Sequence, residues 1–204
     1  MESRTITIKN PVADIDVYLV LPEWAKGYTK SSCELYETIP IMTLPNEMAV
    51  DGCRAVVANL RTTTQTGRIQ YCARIRPHKG CECAGPDTGE GLDAQAWEGN
   101  GMELHIGTED NEFLATRSRK NEYCPKRLAK FIQRNPIATY SDDGMRLELP
   151  ELLSGEELQL HYVIAWKKTE DREDTSTWFA VDRTATEVRD GKKTGRRTIG
   201  WSGQ

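Results

Sequence analysis

The alternation of apolar and polar residues in "ELQLHYVIAW", residues 157–166, constrains the fold of this chain more than any other feature. A period of two places neighbouring side chains on opposite faces of a β-strand. One face carries Leu158, Leu160, Tyr162, Ile164 and Trp166, and the other carries Gln159, His161, Val163 and Ala165. Similar runs recur between clusters of Gly, Pro, Asp and Thr, and they are "RTITIK", "DIDVYLVL", "CRAVVANLR", "GRIQYCARIR", "MELHI" and "TSTWFAVD". The pattern predicts a protein built mainly from antiparallel sheet.

Turn and helix signals refine this fold. Asp143-Gly144 lies between two alternating segments and predicts a tight hairpin turn, and "TTTQTG" is predicted to close a second hairpin. Pro125 opens the segment with helical apolar spacing, "CPKRLAKFIQR". Because each half-buried sheet must cover its apolar face, the predicted fold is an antiparallel two-layer sandwich or a flattened barrel, with one short helix at about residues 125–134.

Length and charge suggest one domain and an anionic body. A chain of 204 residues is expected to form a single β-rich domain, residues 1–204. Its net charge of −4 argues against nucleic acid as the partner. Residues 189–197, "RDGKKTGRR", carry five Lys and Arg against one Asp. They predict a basic C-terminal hairpin or tail at about residues 189–204, either solvated or in contact with an acidic or phosphorylated partner.

The sequence also bears on the compartment. No apolar run approaches the ~18 residues of a membrane helix, so no membrane span is expected. The N-terminal "MESRTITIKNP" has no secretory pattern. If Met1 is the natural start, the protein is expected to be soluble and cytoplasmic, with its six cysteines present as thiols or metal ligands.

His78, Cys81 and Cys83 form the first candidate site, within "RIRPHKGCECAGPDTGEG". Imidazole and thiolate are the ligands of structural zinc, and Cys72 or Cys124 could complete the set. Zinc is therefore a candidate cofactor. Disulfide pairing and plain reduced thiols are the alternatives.

Cys124 is a second candidate. It directly precedes Pro125 at the predicted helix start, beside Lys126 and Arg127. A helix dipole and nearby cations favour a thiolate, so Cys124 is a candidate nucleophile or redox-sensitive thiol. The alternative is a small, half-buried residue that only packs.

A cationic strand face is the third candidate. In "RIQYCARIRPH" the side chains of Arg68, Arg74 and Arg76 project to one side of the strand. Arginines on a rigid strand suit carboxylate or phosphate groups, although the many acidic residues of the chain favour cross-strand ion pairs as their partners. Trp97 is a further candidate binding residue, either as a surface anchor or folded back onto the sheet.

These features favour a non-enzymatic binding protein. No nucleotide fingerprint, glycine elbow or zinc-protease pair is present, and residues 77–101 look like a long glycine-rich loop. We expect this loop and the cationic strand face to bind a protein partner. The alternatives are a cysteine-based enzyme or redox protein, a protein with a structural zinc site, and a small-molecule carrier with a cavity between its sheets lined by Tyr162, Trp166 and Trp178.

Overall fold

The computed structural model describes residues 5–20, 32–45, 47–89, 91–168 and 175–199. Within these ranges the strands are β1 (Thr5–Lys9), β2 (Ala13–Val20), β3 (Ser32–Ile39), β4 (Gly52–Arg61), β5 (Ile69–Pro77), β6 (Glu82–Pro86), β7 (Leu92–Gly99), β8 (Met102–Glu109), β9 (Ala138–Ser141), β10 (Gly144–Leu149), β11 (Glu157–Lys168) and β12 (Lys192–Ile199). The helices are α1 (Asn111–Lys120), α2 (Ala129–Arg134), α3 (Ser176–Val181) and α4 (Ala185–Arg189), and a 3₁₀ turn (Lys126–Leu128) precedes α2. None of the helices in these ranges is long and apolar enough to cross a membrane.

The strands form two antiparallel sheets packed face to face. The smaller sheet has the order β1-β2-β5-β10-β9, and the larger has the order β12-β3-β4-β11-β8-β7-β6. The sheets do not close into a barrel, since each keeps its own two edge strands. The sandwich prediction is therefore confirmed, and the flattened barrel is wrong.

Two stacked tyrosines join the sheets at the centre of the core. The rings of Tyr71 on β5 and Tyr162 on β11 lie 4.7 Å apart between centroids and 22° from parallel. The Tyr71 hydroxyl donates to the Val56 carbonyl over 2.7 Å, and the Tyr162 hydroxyl donates to the Tyr71 carbonyl over 3.0 Å. Because both hydroxyls are hydrogen-bonded, burial of these rings leaves no hydroxyl unsatisfied. Tyr162 thus fills the space between the sheets where the carrier hypothesis placed a cavity.

The outer face of the larger sheet is also covered. Val163 and Ala165 of β11 are buried against Ala180, Val181 and Val188 from α3 and α4. Gly107 makes this contact possible, because a Cβ there would lie 2.8 Å from a Val181 methyl. The predicted strand "TSTWFAVD" is wrong, since Ser176–Val181 forms α3 instead. Its buried residues recur at helical spacing on the side facing the sheet.

Several connections differ from expectation. "TTTQTG" links β4 in the larger sheet to β5 in the smaller one, so it does not close a hairpin. Residues 77–101 are not a long loop, because they contain β6 and β7. The β9–β10 hairpin is confirmed, with its turn at Asp142–Asp143, one residue before the predicted position. Gly144 follows at φ +137, where a Cβ would strike the Ala73 carbonyl oxygen.

The remaining predictions concern the helix and the basic C-terminal segment. The helix expected at about residues 125–134 is confirmed as the 3₁₀ turn and α2. Residues 192–199, half of the predicted basic hairpin or tail, form β12, which pairs with β3 at the edge of the larger sheet. Residues 200–204 of the predicted hairpin or tail lie outside the described residues.

Candidate functional site

The predicted cationic strand face lies on the outer side of the smaller sheet, where two of its three arginines meet acidic side chains. Arg76 pairs with Asp16 over 3.0 Å, and Arg74 approaches Asp143 to 3.9 Å. Both acids come from neighbouring elements, β2 and the β9–β10 turn. Arg68 is exposed immediately before β5. The cross-strand ion pairs considered above therefore occupy Arg74 and Arg76, and such exposed pairs contribute little to stability.

Trp97 is fully buried in the core between the sheets. Its indole Nε1 donates to the Asp142 carbonyl over 3.4 Å. The tryptophan is therefore folded back onto the sheet, and the surface-anchor interpretation of Trp97 is wrong. Alternation along β7 explains this, since Trp97 belongs to the face that packs into the core.

The zinc candidates are held by other partners. His78 Nδ1 lies 3.0 Å from the Pro11 carbonyl, and its Nε2 lies 3.7 Å from Asp14. Cys83 accepts from Gln95 Nε2 over 3.1 Å, and Cys81 lies 3.7 Å from the Gly99 carbonyl. In the described ranges no three His, Cys, Asp or Glu side chains form a group that could hold a metal ion. The six cysteines all lie within the described residues, and no disulfide joins any two of them.

Cys124 is buried, and its thiol is not activated. Burial raises the pKa of Cys124 to about 11, and the nearby Arg117 offsets only part of this effect. The helical segment after Pro125 begins as a three-residue 3₁₀ turn without a side-chain cap, so it supplies little of the expected dipole. A shallow cleft lined by residues 121–127 and 155–157 includes Cys124 but no histidine. Cys124 therefore packs in the core, as the alternative interpretation expects.

The sequence did not reveal a buried polar cluster beneath α3. His105 Nε2 lies 2.9 Å from Asp87 Oδ2, and His105 Nδ1 lies 2.9 Å from Thr177 Oγ1. Burial lowers the pKa of His105, which favours a neutral ring that donates to Asp87 and accepts from Thr177. The Thr177 side chain is fully buried, so its hydroxyl is closed to a substrate. These contacts attach α3 to the sheet.

A second polar cluster attaches α1 to the sheet. Arg117 Nε lies 2.8 Å from Glu109 Oε2, with 11% and 6% of the two side chains exposed. Arg117 also donates to the Gln159 carbonyl over 2.9 Å, and the Ala185 amide donates to Glu109 over 3.0 Å. This buried ion pair therefore joins β8, α1, β11 and α4.

Within the described residues, a group of exposed cations without ion pairs lies on residues 117–134, which we call the helical corner. It contains the end of α1, the 3₁₀ turn and α2, and it carries seven Lys and Arg against one Glu. Arg117 and Arg127 are paired with Glu109 and Glu156. The other five cations are exposed, and none forms an ion pair with the described part of the chain: Arg119, Lys120, Lys126, Lys130 and Arg134.

Exposed aromatic rings lie among these cations. Tyr123 is 49% exposed and Phe131 is 38% exposed. Tyr123 has φ +48, a left-handed conformation that is rare for a bulky residue. The Arg189 guanidinium lies 5.3 Å from the centre of the Tyr123 ring. The Tyr123 carbonyl accepts from the Gln159 amide over 2.8 Å, which fixes the backbone while the ring stays at the surface.

The excess of Lys and Arg over Asp and Glu in residues 117–134 is a sequence signal for the helical corner. The basic segment at residues 189–197 gives a stronger signal of this kind, because its five cations lie within nine residues. The cations of the helical corner are more widely spaced, and only the structure shows that five of them are exposed and form no ion pair within the described residues. No protein-family model, curated protein or solved structure matches the chain.

Proposed function

We propose that this protein is a non-enzymatic binding protein that recognises an anionic macromolecule through the helical corner. The observation that carries the proposal is a set of five exposed cations that form no ion pair within the described residues, interleaved in sequence with the exposed rings of Tyr123 and Phe131. The outer face of the smaller sheet is less suited to bind an anion than the helical corner, because Arg74 and Arg76 already have acidic neighbours there.

The spacing of the cations is a second support. Lys130 and Arg134 lie four residues apart in α2 and therefore on the same side of this helix, and Lys126 lies in the 3₁₀ turn that precedes it. Like charges at this spacing destabilise a helix by about 0.2–0.5 kcal/mol per pair. A bound polyanion would remove that repulsion, so the arrangement favours a ligand over an unliganded surface.

The net charge of −4 does not oppose this proposal. Salt screens exposed charges beyond about 8 Å at physiological ionic strength. An anion docked on the helical corner therefore interacts mainly with the local cations and only weakly with acidic residues on distant surfaces.

The enzyme, zinc and carrier alternatives have less support. Cys124 is buried with a raised pKa, and Thr177 beside His105 is buried. The described residues form no metal-ligand group, and Tyr162 fills the core.

Retention on immobilised poly-glutamate tests the proposal. The wild-type protein should bind and should be released by salt. The triple variant Lys126→Gln, Lys130→Gln, Arg134→Gln should elute at lower salt. The matched control is Arg68→Gln, Arg74→Gln, Arg76→Gln, which removes the same charge from the strand face and should leave retention nearly unchanged. Equal losses in both variants, or failure of the wild type to bind poly-glutamate and every other polyanion tested, would contradict the proposal.

A further inference from the structure

We infer that the anionic macromolecule is a single-stranded nucleic acid. This inference rests on the proposed function, because it uses the same helical corner. The cations alone would suit any polyanion, and the exposed rings restrict the choice.

The exposed rings are suited to unpaired bases. Phe131 lies between Lys130 and Arg134 in sequence, and Tyr123 lies three residues before Lys126. Every base has a flat π-face that stacks on an aromatic ring without regard to its sequence. A duplex hides those faces, and an acidic peptide backbone offers none. Aromatic rings among cations are therefore typical of a surface for single strands.

The series of cations suits successive phosphates of one strand. Lys130 and Arg134 lie four residues apart in α2, about 6 Å along the helix axis, and Lys126 lies in the 3₁₀ turn that precedes it. The Arg189 guanidinium lies over the Tyr123 ring, but it is paired with Asp190 over 3.0 Å and therefore adds no unpaired cation to the surface. A base stacked on Tyr123 would leave its phosphate near these cations.

An anionic membrane shares the phosphate chemistry but fits the helices less well. A helix that inserts into a membrane surface needs a continuous apolar face directed outward. In α1 and α2 the residues Leu114, Ala115 and Ile132 are buried against the core. The exposed side of α2 presents one ring, Phe131, among charged residues.

Fluorescence anisotropy with a labelled mixed-sequence single strand of about 12 nucleotides tests the inference. The same sequence as a duplex, poly-glutamate, and vesicles of phosphatidylserine and phosphatidylcholine are the competitors. The single strand should bind most tightly. Each phosphate neutralised on a single strand contributes about −0.7 to the slope of log K against log salt. The triple Gln variant of the helical corner should therefore lower the magnitude of that slope by about 2, while the strand-face control should retain the wild-type slope.

A second variant isolates base stacking. Phe131→Ala removes a ring that is 38% exposed, and Leu153→Ala truncates a leucine that is 41% exposed and lies outside the helical corner. Loss of one base–aromatic stack should weaken the single strand by roughly fivefold to a hundredfold and leave poly-glutamate binding unchanged. Leu153→Ala should change neither. Thermal melts of each variant establish that the fold is retained.

The outcomes separate the two proposals. If poly-glutamate or the vesicles bind at least as tightly as the single strand, and Phe131→Ala has no selective effect, the nucleic-acid inference is overturned while the proposed function stands. If no polyanion binds, both fail. Preference for the single strand, with the expected losses in the two variants, supports both.

Discussion

Arg117→Met should destabilise the protein strongly because it leaves a buried carboxylate without its cation. In the native structure Glu109 is 6% exposed and lies 2.8 Å from Arg117. Removing one partner of a buried ion pair typically costs about 3–5 kcal/mol. The Ala185 amide still donates to Glu109 in the variant, so the lower end of that range, about 3 kcal/mol, is expected.

Urea unfolding measures this change. With an m-value of about 2–3 kcal/mol per molar, a loss of about 3 kcal/mol lowers the unfolding midpoint by about 1 M or more. The double variant Glu109→Gln, Arg117→Met removes the buried charge and should be more stable than Arg117→Met alone. The matched control is Arg127→Met, since the Arg127–Glu156 pair is more open, with 34% and 18% of the side chains exposed. It should cost no more than about 1 kcal/mol.

Two results would refute this account of the buried pair. A loss below about 1 kcal/mol in Arg117→Met would show that water reaches Glu109. A double variant that is less stable than Arg117→Met would show that the cost arises from lost packing and not from the unpaired charge.

Burial lowers the pKa values of His105 and His161. Their contribution to stability is therefore present above the unfolded pKa of about 6.5, and it should be lost as pH falls from about 6.5 toward the lower pKa values of the folded state. A urea midpoint that stays constant between pH 8 and pH 5 would contradict this expectation. Burial raises the pKa of Asp93, so the ionised carboxylate opposes folding. Asp93→Asn should therefore raise the melting temperature at pH 7. This gain should vanish below the unfolded pKa of about 3.9, where the carboxyl is protonated in both states. An equal gain at both pH values would exclude titration as its cause. The Cys124 thiol, buried with a pKa of about 11, should react with iodoacetamide more slowly than the half-exposed Cys81; peptide mass spectrometry would test the order, and faster labelling of Cys124 would refute it.

The sequence predicted the elements whose signal is local. Alternation identified β11, and Pro125 with the apolar spacing after it identified the helix at about residues 125–134. It missed α1, although Asp110 at the N-cap and the basic residues of the last turn are ordinary helix signals. Only Leu114, Ala115 and Ser118 of α1 are buried, so its apolar periodicity is weak.

Burial on the second face of β11 could not be predicted from the same pattern. Gln159 and His161 look like an exposed polar face, yet both are buried. Gln159 Nε2 donates to Asn59 over 3.1 Å, and His161 Nε2 lies 3.1 Å from the Arg183 carbonyl. These partners come from residues far away in sequence, so alternation alone gives no sign of them.

The sequence by itself determined where strands alternate, where the helix after Pro125 begins, and how much positive charge residues 117–134 carry, because these properties depend on neighbours along the chain. Only the tertiary structure decided which sheet each strand joins and that Trp97 and Cys124 are buried. It also decided that Arg74 and Arg76 meet acids, while Lys126 and Lys130 form no ion pair within the described residues. Those outcomes depend on contacts between distant segments, and such contacts set both the burial of a side chain and the compensation of its charge.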